Sequence, residues 1–302
     1  MVVIKMTNEL REYTYKWYPE KYNDMNEPIL KITKSSFGSF QWCPKKYDFS
    51  YIQRLPQDTS EAMIKGTVVH NSREDFFEEF DVKKAEHMTH DELIQYNIGL
   101  HPIDDYGDIY KIISTFEAQR FVEARDANKI DQYIPVVNEK MLDAEIVIPF
   151  DANPNCILER DYVVHLQGII DRMFLDEGSY VPIELKTGPW KDYKKTMMRK
   201  EMAFYKLLVD NATDESLKEA GIDRNIPITH WGWYYPVSNY VYIENVKTSS
   251  AKAVIRGITQ LLKAYENKAF GGEEFPAKYY YKTCQHCSFH PICEKAQEEQ
   301  WL

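Results

Sequence analysis

The chain has 302 residues, 44% of them apolar, and a formal net charge of −10, which supplies enough apolar material for a sizeable core. Such acidity excludes a protein that coats nucleic acid by bulk electrostatics, because that mode needs a broadly basic face; any DNA contact has to be local. No stretch approaches the roughly 18 uncharged apolar residues of a membrane span, and Met1–Tyr18 turns charged at Glu9, Arg11 and Glu12 before an apolar signal core develops. A cytoplasmic chain without a membrane partner is expected.

There is no internal repeat, low-complexity tract or Gly/Ser linker, so one continuous domain over 1–302 is expected. It divides into an N-terminal helical region at 33–135, a core at 136–250 and a C-terminal helix and cysteine segment at 251–302. Thr33-Lys34-Ser35-Ser36 offers capping residues, and Phe37, Phe40, Tyr47 and Tyr51 follow at near-helical spacing. This predicts a short helix carrying Cys43 and broken at Pro44. A second helix is predicted over Glu61–Phe80, where Met63, Val69, Phe76, Phe77 and Phe80 are the apolar positions and His70 is carried along. The acidic stretch from Arg73 to Asp108 runs into a polar helical lobe at 91–132, clearest over Ile109–Ala127.

The pattern then turns to strands at Glu145–Phe150, Tyr162–Leu175, Tyr180–Thr187 and Thr229–Val246. Asp176-Glu177-Gly178-Ser179 predicts a tight turn and hence an antiparallel hairpin. A helical pattern over Lys195–Asn211 links the third strand to the one near Trp231 in a β-α-β crossover. The fold class is therefore mixed α/β, a central mixed sheet flanked by helices.

Acids interrupt otherwise apolar strands in Gly168-Ile169-Ile170-Asp171 and Ile183-Glu184-Leu185-Lys186. A carboxylate there is costly unless it is paired or binds metal. Strand alternation puts Glu184 and Lys186 on one face, and the hairpin brings Asp171 beside Glu184. Two converging oxygen ligands suit Mg²⁺ or Mn²⁺, and a lysine beside such a site can orient water or offset charge in phosphodiester hydrolysis. A structural Glu-Lys ion pair is the alternative, since Glu-x-Lys alone is a weak signal. Five cysteines, an odd count, point to metal or cluster ligation rather than disulfides. Cys284-x-x-Cys287 fits an iron-sulfur cluster or zinc, and His286 and His290 keep a local three-cysteine, one-histidine zinc site in play. Cys156 has no partner by spacing and reads as an ordinary buried thiol.

Asp171, twelve residues, then Glu184-x-Lys186 resembles the PD-(D/E)xK nuclease core, and Gly66-x-x-x-His70 resembles the upstream histidine motif of its RecB-like branch. With Cys43-Pro44 and Cys284-x₂-Cys287-x₅-Cys293, the motif order from 33 to 296 is similar to the iron-sulfur RecB-family exonucleases, including the CRISPR-associated Cas-four nucleases and their viral relatives. The resemblance implies a restriction-endonuclease-like core with a helical lobe and an iron-sulfur lobe joining the N- and C-terminal segments. It implies His70, Asp171, Glu184 and the Leu185 carbonyl as ligands of Mn²⁺ or Mg²⁺, and Lys186 as the catalytic lysine. It also implies a 4Fe-4S cluster on Cys43, Cys284, Cys287 and Cys293. The family commonly has Gln-x-x-x-Tyr on the next helix, where this chain has Glu201 and Tyr205, still on one helix face. Glutamate accepts a hydrogen bond from the lysine but cannot donate one to phosphate as an amide does.

Lys191, Lys194, Lys195, Arg199 and Lys200 are the candidate phosphate contacts, helped by Lys45 and Lys46; a solvated helix face is the alternative for that run. Trp190, Tyr193 and the Trp231–Tyr235 aromatics either stack on unpaired bases or fill a core. No Gly-x-x-x-x-Gly-Lys-Ser/Thr loop is present, so unwinding falls to a helicase or a recombination or integration partner. The expected partner is DNA, at ends or as single strands. Ring-forming oligomers occur among the resembled proteins, though no interface signature marks a homo-oligomer here. The rival to a metal-dependent exonuclease is a DNA-binding adaptor of the same fold with a decayed site.

Overall fold

The computed structural model describes residues 29–57, 60–269, 275–278, 280 and 284–299; Met1–Tyr18 lies outside them. In chain order the strands and longer helices are β1 (Leu30–Thr33), α1 (Lys34–Trp42), α2 (Glu61–Glu79), α3 (His90–Gly99), α4 (Gly107–Asp126), β2 (Val137–Ile148), β3 (Tyr162–Asp176), β4 (Ser179–Leu185), α5 (Lys195–Asn211), β5 (His230–Tyr235), β6 (Tyr240–Asn245) and α6 (Thr248–Ala269). The strands are hydrogen-bonded in the order β1-β3-β4-β5-β6, with β2 also pairing with β3, so parallel and antiparallel neighbours are mixed. No helix among the described residues is long and apolar enough to cross a membrane.

The chain forms two compact units, each assembled from separated segments: 1–58 with 143–168 and 248–302, and 59–142 with 169–247. In the first unit, β1 runs parallel to the start of β3, from Leu30 against Val164 to Thr33 against Gln167. Thr33 then caps α1: its hydroxyl accepts from the Ser36 N–H while the Ser36 hydroxyl accepts from the Thr33 N–H, a reciprocal capping box. The helix stops at Cys43, which is extended, and Pro44 opens a new short helix at Pro44–Tyr47, because proline cannot continue the hydrogen-bond ladder but suits a first turn. The predicted break thus places Cys43 at a corner. Helix α6 packs close to α1 at Gly257, where an added Cβ would come within 2.7 Å of the Phe37 ring and 2.5 Å of Gln41 Nε2. Cys156 is half-buried, its Sγ 4.0 Å from the Thr259 carbonyl, and burial pushes its thiol up.

The second unit carries the predicted hairpin. Asp176 pairs with Ser179, and the central residues Glu177 and Gly178 both have positive φ, 48° and 75°, as a two-residue hairpin turn of the required twist demands. Strand β4 leads through α5 into β5, which lies parallel to β4 with Glu184 opposite Trp233. That completes the predicted crossover. The expected single run Thr229–Val246 is two antiparallel strands, separated by a turn at Pro236–Ser238 with Asn239 left-handed. Strand β2 starts at Val137, eight residues before the predicted Glu145, since its first residues lack regular alternation. Val69 of α2 packs with Ile109, Tyr110 and Ile113 of α4 and with Leu185 and Tyr234 of the sheet, which covers one sheet face. Phe76, Phe77 and Phe80 continue into a second cluster with Leu93, Phe121 and Tyr133.

Buried charge in this lobe makes it acid-sensitive. His101 is only 7% exposed, stacked between Phe76 and Tyr110, with its Nδ1 2.6 Å from the Ser72 hydroxyl. Burial, reinforced by the Arg73 charge, pushes its pKa from 6.5 down to about 3. The unfolded chain therefore takes up a proton below pH 6.5 that the folded chain refuses until about pH 3, so this contribution is complete above 6.5 and is lost as pH falls. Burial would raise the pKa of Glu117, but Arg120, Arg73 and Arg172 outweigh it and hold the group at about 2; its contribution is lost between 4.5 and 2. Denaturant melts are expected to lose up to about 1.4 kcal/mol per pH unit just below pH 6. His101→Phe should flatten that slope, and an unchanged slope would contradict the assignment.

Candidate active site

Three strands and two helices of the second unit converge on one cluster of acids. The β3–β4 register sets Arg172 opposite Ile183, so Asp171 stands opposite Glu184, with both buried at 4% and 1% exposure. The Leu185 N–H donates to Asp171 Oδ2 at 3.0 Å, which fixes the aspartate against β4 through the backbone. The Lys186 N–H donates to the Tyr234 carbonyl, extending the parallel ladder one residue past β4 and holding the lysine at the strand end.

Lys186 Nζ lies 2.5 Å from Glu184 Oε1 and 2.8 Å from Glu201 Oε2. Burial would lower its pKa, but the charges of Glu184, Glu201 and Asp171 prevail and hold it well above the usual lysine value. The ammonium is thus a fixed positive charge at neutral pH. Glu201 and Tyr205 come from successive turns of α5, and both face the strands as their spacing predicts. The Tyr205 hydroxyl donates to Glu184 Oε2 at 2.5 Å and lies 3.3 Å from Asp171 Oδ1. Burial above all, with the adjacent Asp171 and Glu184 charges, raises its pKa well above the usual phenol value, so it remains a donor.

His70 enters from α2. Its Nδ1 is 3.1 Å from Glu139 Oε1 and 3.8 Å from Asp171 Oδ2. Burial would lower its pKa, yet the Glu139 hydrogen bond and the Asp171, Glu139 and Glu184 charges raise it. Donor atoms of His70, Glu139 and Asp171 all lie within 4.8 Å of one another, the spacing a bound metal ion requires. Glu184 stands outside that triad, engaged by Lys186 and Tyr205. Glu139 is the residue that sequence reasoning missed: it sits in the part of β2 that carried no strand pattern, with φ at +49°. A non-glycine residue in the left-handed region was not legible beforehand, and a carboxylate amid the neighbouring Asn138 and Lys140 looked like ordinary surface.

Of the candidate phosphate contacts, Lys191 is exposed and the other four are half-buried. Lys194 Nζ donates to the Pro189 carbonyl, Lys195 Nζ to the Tyr242 hydroxyl, and Arg199 binds both carboxylate oxygens of Glu244. Trp231, Trp233, Tyr234 and Tyr235 are buried in the core, which removes them as base-stacking groups: β5 is a central strand, covered on both faces. Trp190 stacks on Tyr240 at 4.6 Å, and Tyr193 is 80% exposed.

In the first unit, Cys43, Cys284, Cys287 and Cys293 line a single pocket together with Phe49, Phe289 and four lysines, Lys45, Lys46, Lys278 and Lys295. Backbone N–H groups of Lys278 and Tyr280 donate to Cys43 Sγ and Cys284 Sγ, each at 3.4 Å.

The mixed sheet, its crossover helix and the acid-and-lysine cluster define a nuclease core. The chain belongs to the PD-(D/E)XK nuclease superfamily, whose family model matches residues 31–294. Members typically use divalent metal ions, and the donor set of His70, Glu139, Asp171 and Glu184 is of that kind. Among solved structures, the crystal structure of SSO0001 is 12% identical with a TM-score of 0.37, covering 97% of this chain and 96% of that one. A protein from Eubacterium rectale described as "Putative exonuclease" is 10% identical with a TM-score of 0.40, covering 89% and 87%. No curated protein sequence matches the chain.

Proposed function

We propose that the protein is a divalent-metal-dependent DNA exonuclease of RecB-like type, carrying a 4Fe-4S cluster. The observation that carries the reading is the juxtaposition of Asp171, Glu184 and Lys186 with His70 and Glu139 at the end of β4. Mn²⁺ or Mg²⁺ would be held by His70 and the carboxylates, and when bound it supplies neutralisation of the phosphate and acidification of water.

The chain's own residues do the rest. Lys186, locked as an ammonium, orients the attacking water and offsets the charge that develops on phosphorus-bound oxygens. Glu201 holds the lysine in place, and Tyr205 holds Glu184. Lys191 and the exposed Tyr193, a few residues beyond the catalytic strand, would meet the phosphate and an unpaired base of the departing strand. Such contacts track backbone rather than sequence. Nothing in this arrangement unwinds DNA, so duplex substrates call for a helicase or a recombination or integration partner.

Four soft thiolates lining one pocket fit the cluster chemically. The backbone N–H groups directed at two of the sulfurs are what a cluster's electron-rich thiolates call for, and they support the cluster over a local zinc site. Cys43, Cys284, Cys287 and Cys293 would hold it, and its role would be to clasp N- and C-terminal segments of the first unit.

The test is digestion of end-labelled single- and double-stranded DNA by anaerobically purified protein with Mn²⁺, Mg²⁺ or chelator. Metal-dependent shortening from one end is expected. A folded, iron-loaded protein that leaves both substrates intact would favour an adaptor of the same fold instead.

A further inference from the structure

The two carboxylates near His70 approach the same ring nitrogen. Glu139 Oε1 and Asp171 Oδ2 both face Nδ1, at 3.1 and 3.8 Å. A carboxylate that merely orients a metal-bound histidine takes the other ring nitrogen, leaving the first free for the ion. Here Glu139 and Asp171 converge on one point, where a proton on Nδ1 occupies the place a cation would take.

The backbone is built to deliver Glu139 to that point. Asn138 Nδ2 donates to the Glu74 carbonyl at 3.0 Å, and Glu74 lies one turn after His70 on the same face of α2. This bond ties β2 to the helix immediately beside the site. The next residue, Glu139, adopts φ of +49°, a left-handed conformation that is unfavourable for a non-glycine residue and takes its side chain out of the regular alternation of a strand. Glu184 is committed elsewhere, to Lys186 and Tyr205.

We propose that Glu139 is a direct cation ligand, so that His70, Glu139 and Asp171 form a three-donor position. One imidazole with two carboxylates favours Mn²⁺ over Mg²⁺. The inference rests on the nuclease reading for its role in cleavage, but the binding position stands or falls by itself.

The test measures Mn²⁺ binding to the full chain without DNA, by titration calorimetry and by electron paramagnetic resonance of free ion. Glu139→Gln should weaken Mn²⁺ binding by about 10-fold or more, and should do so again in a His70→Ala background, because a ligand is lost in both. Glu139→Asn, a residue that tolerates positive φ, repeats the test should glutamine disturb the strand. An unchanged affinity would overturn the proposal, and so would an effect of Glu139→Gln that disappears in His70→Ala, since Glu139 would then act only by holding the imidazole. Mn²⁺ binding as expected without DNA cleavage would sink the nuclease reading and leave the ligand assignment intact.

Discussion

Lys186→Met is expected to slow single-turnover DNA cleavage by about 10³-fold. Methionine keeps the length of the stem but removes the ammonium that sits between Glu184 and Glu201. Because those two acids, with Asp171, hold Lys186 charged against the effect of burial, its contribution is a fixed positive charge and a set of donors. The substitution leaves two carboxylates facing each other, which costs stability in the absence of metal. A cation relieves that repulsion, so adding Mn²⁺ should raise the melting temperature more in the variant than in the parent. Glu201→Gln is the informative companion: the amide oxygen still accepts from Lys186, and cleavage is expected to persist or rise. A Lys186→Met protein that cuts within 10-fold of the parent would remove the lysine from the mechanism, and loss of cleavage in Glu201→Gln would show that the carboxylate charge itself is needed.

Cys284→Ser is expected to abolish visible absorbance and iron content and to lower the melting temperature by about 10 °C, as a loss of roughly 3 kcal/mol does in a unit of this size. The first unit has its own aromatic packing around Tyr47, Tyr265 and Phe275, so the rest of it should survive while the cysteine segment comes loose. A cluster fixes ligands that lie far apart in sequence, and its binding energy becomes folding energy for the segments it joins. Cys43→Ser should behave in the same way, since both sulfurs face one pocket. Zinc in place of iron and sulfide, with Cys43→Ser harmless, would point to a local site formed by the C-terminal cysteines and a histidine.

The parts of the fold most legible in the sequence were those set by local rules. Asp176-Glu177-Gly178-Ser179 specifies its own turn, Pro44 specifies a break after Cys43, and hairpin geometry then places Asp171 opposite Glu184. Glu201 and Tyr205 reach the same cluster because i, i+4 spacing survives any change of partner. What stayed hidden depends on contacts distant in sequence. Glu139 joins the site through a strained backbone and a helix about 70 residues earlier. Arg199 looked free for phosphate, yet Glu244, 45 residues on, takes both ends of its guanidinium. The Trp231–Tyr235 run could stack or pack, and only its place between β4 and β6 decides for packing.

The most direct test of the account is the digestion of end-labelled DNA by the parent and the Asp171→Ala chain side by side, with Mn²⁺ supplied and both shown to be folded. Asp171 receives the Leu185 N–H, faces His70 and lies beside Tyr205, so the proposed metal binding and cleavage both pass through it. The account predicts a one-ended ladder of products from the parent and intact label from the variant. Equal digestion by both would place the cleavage outside this site and contradict it.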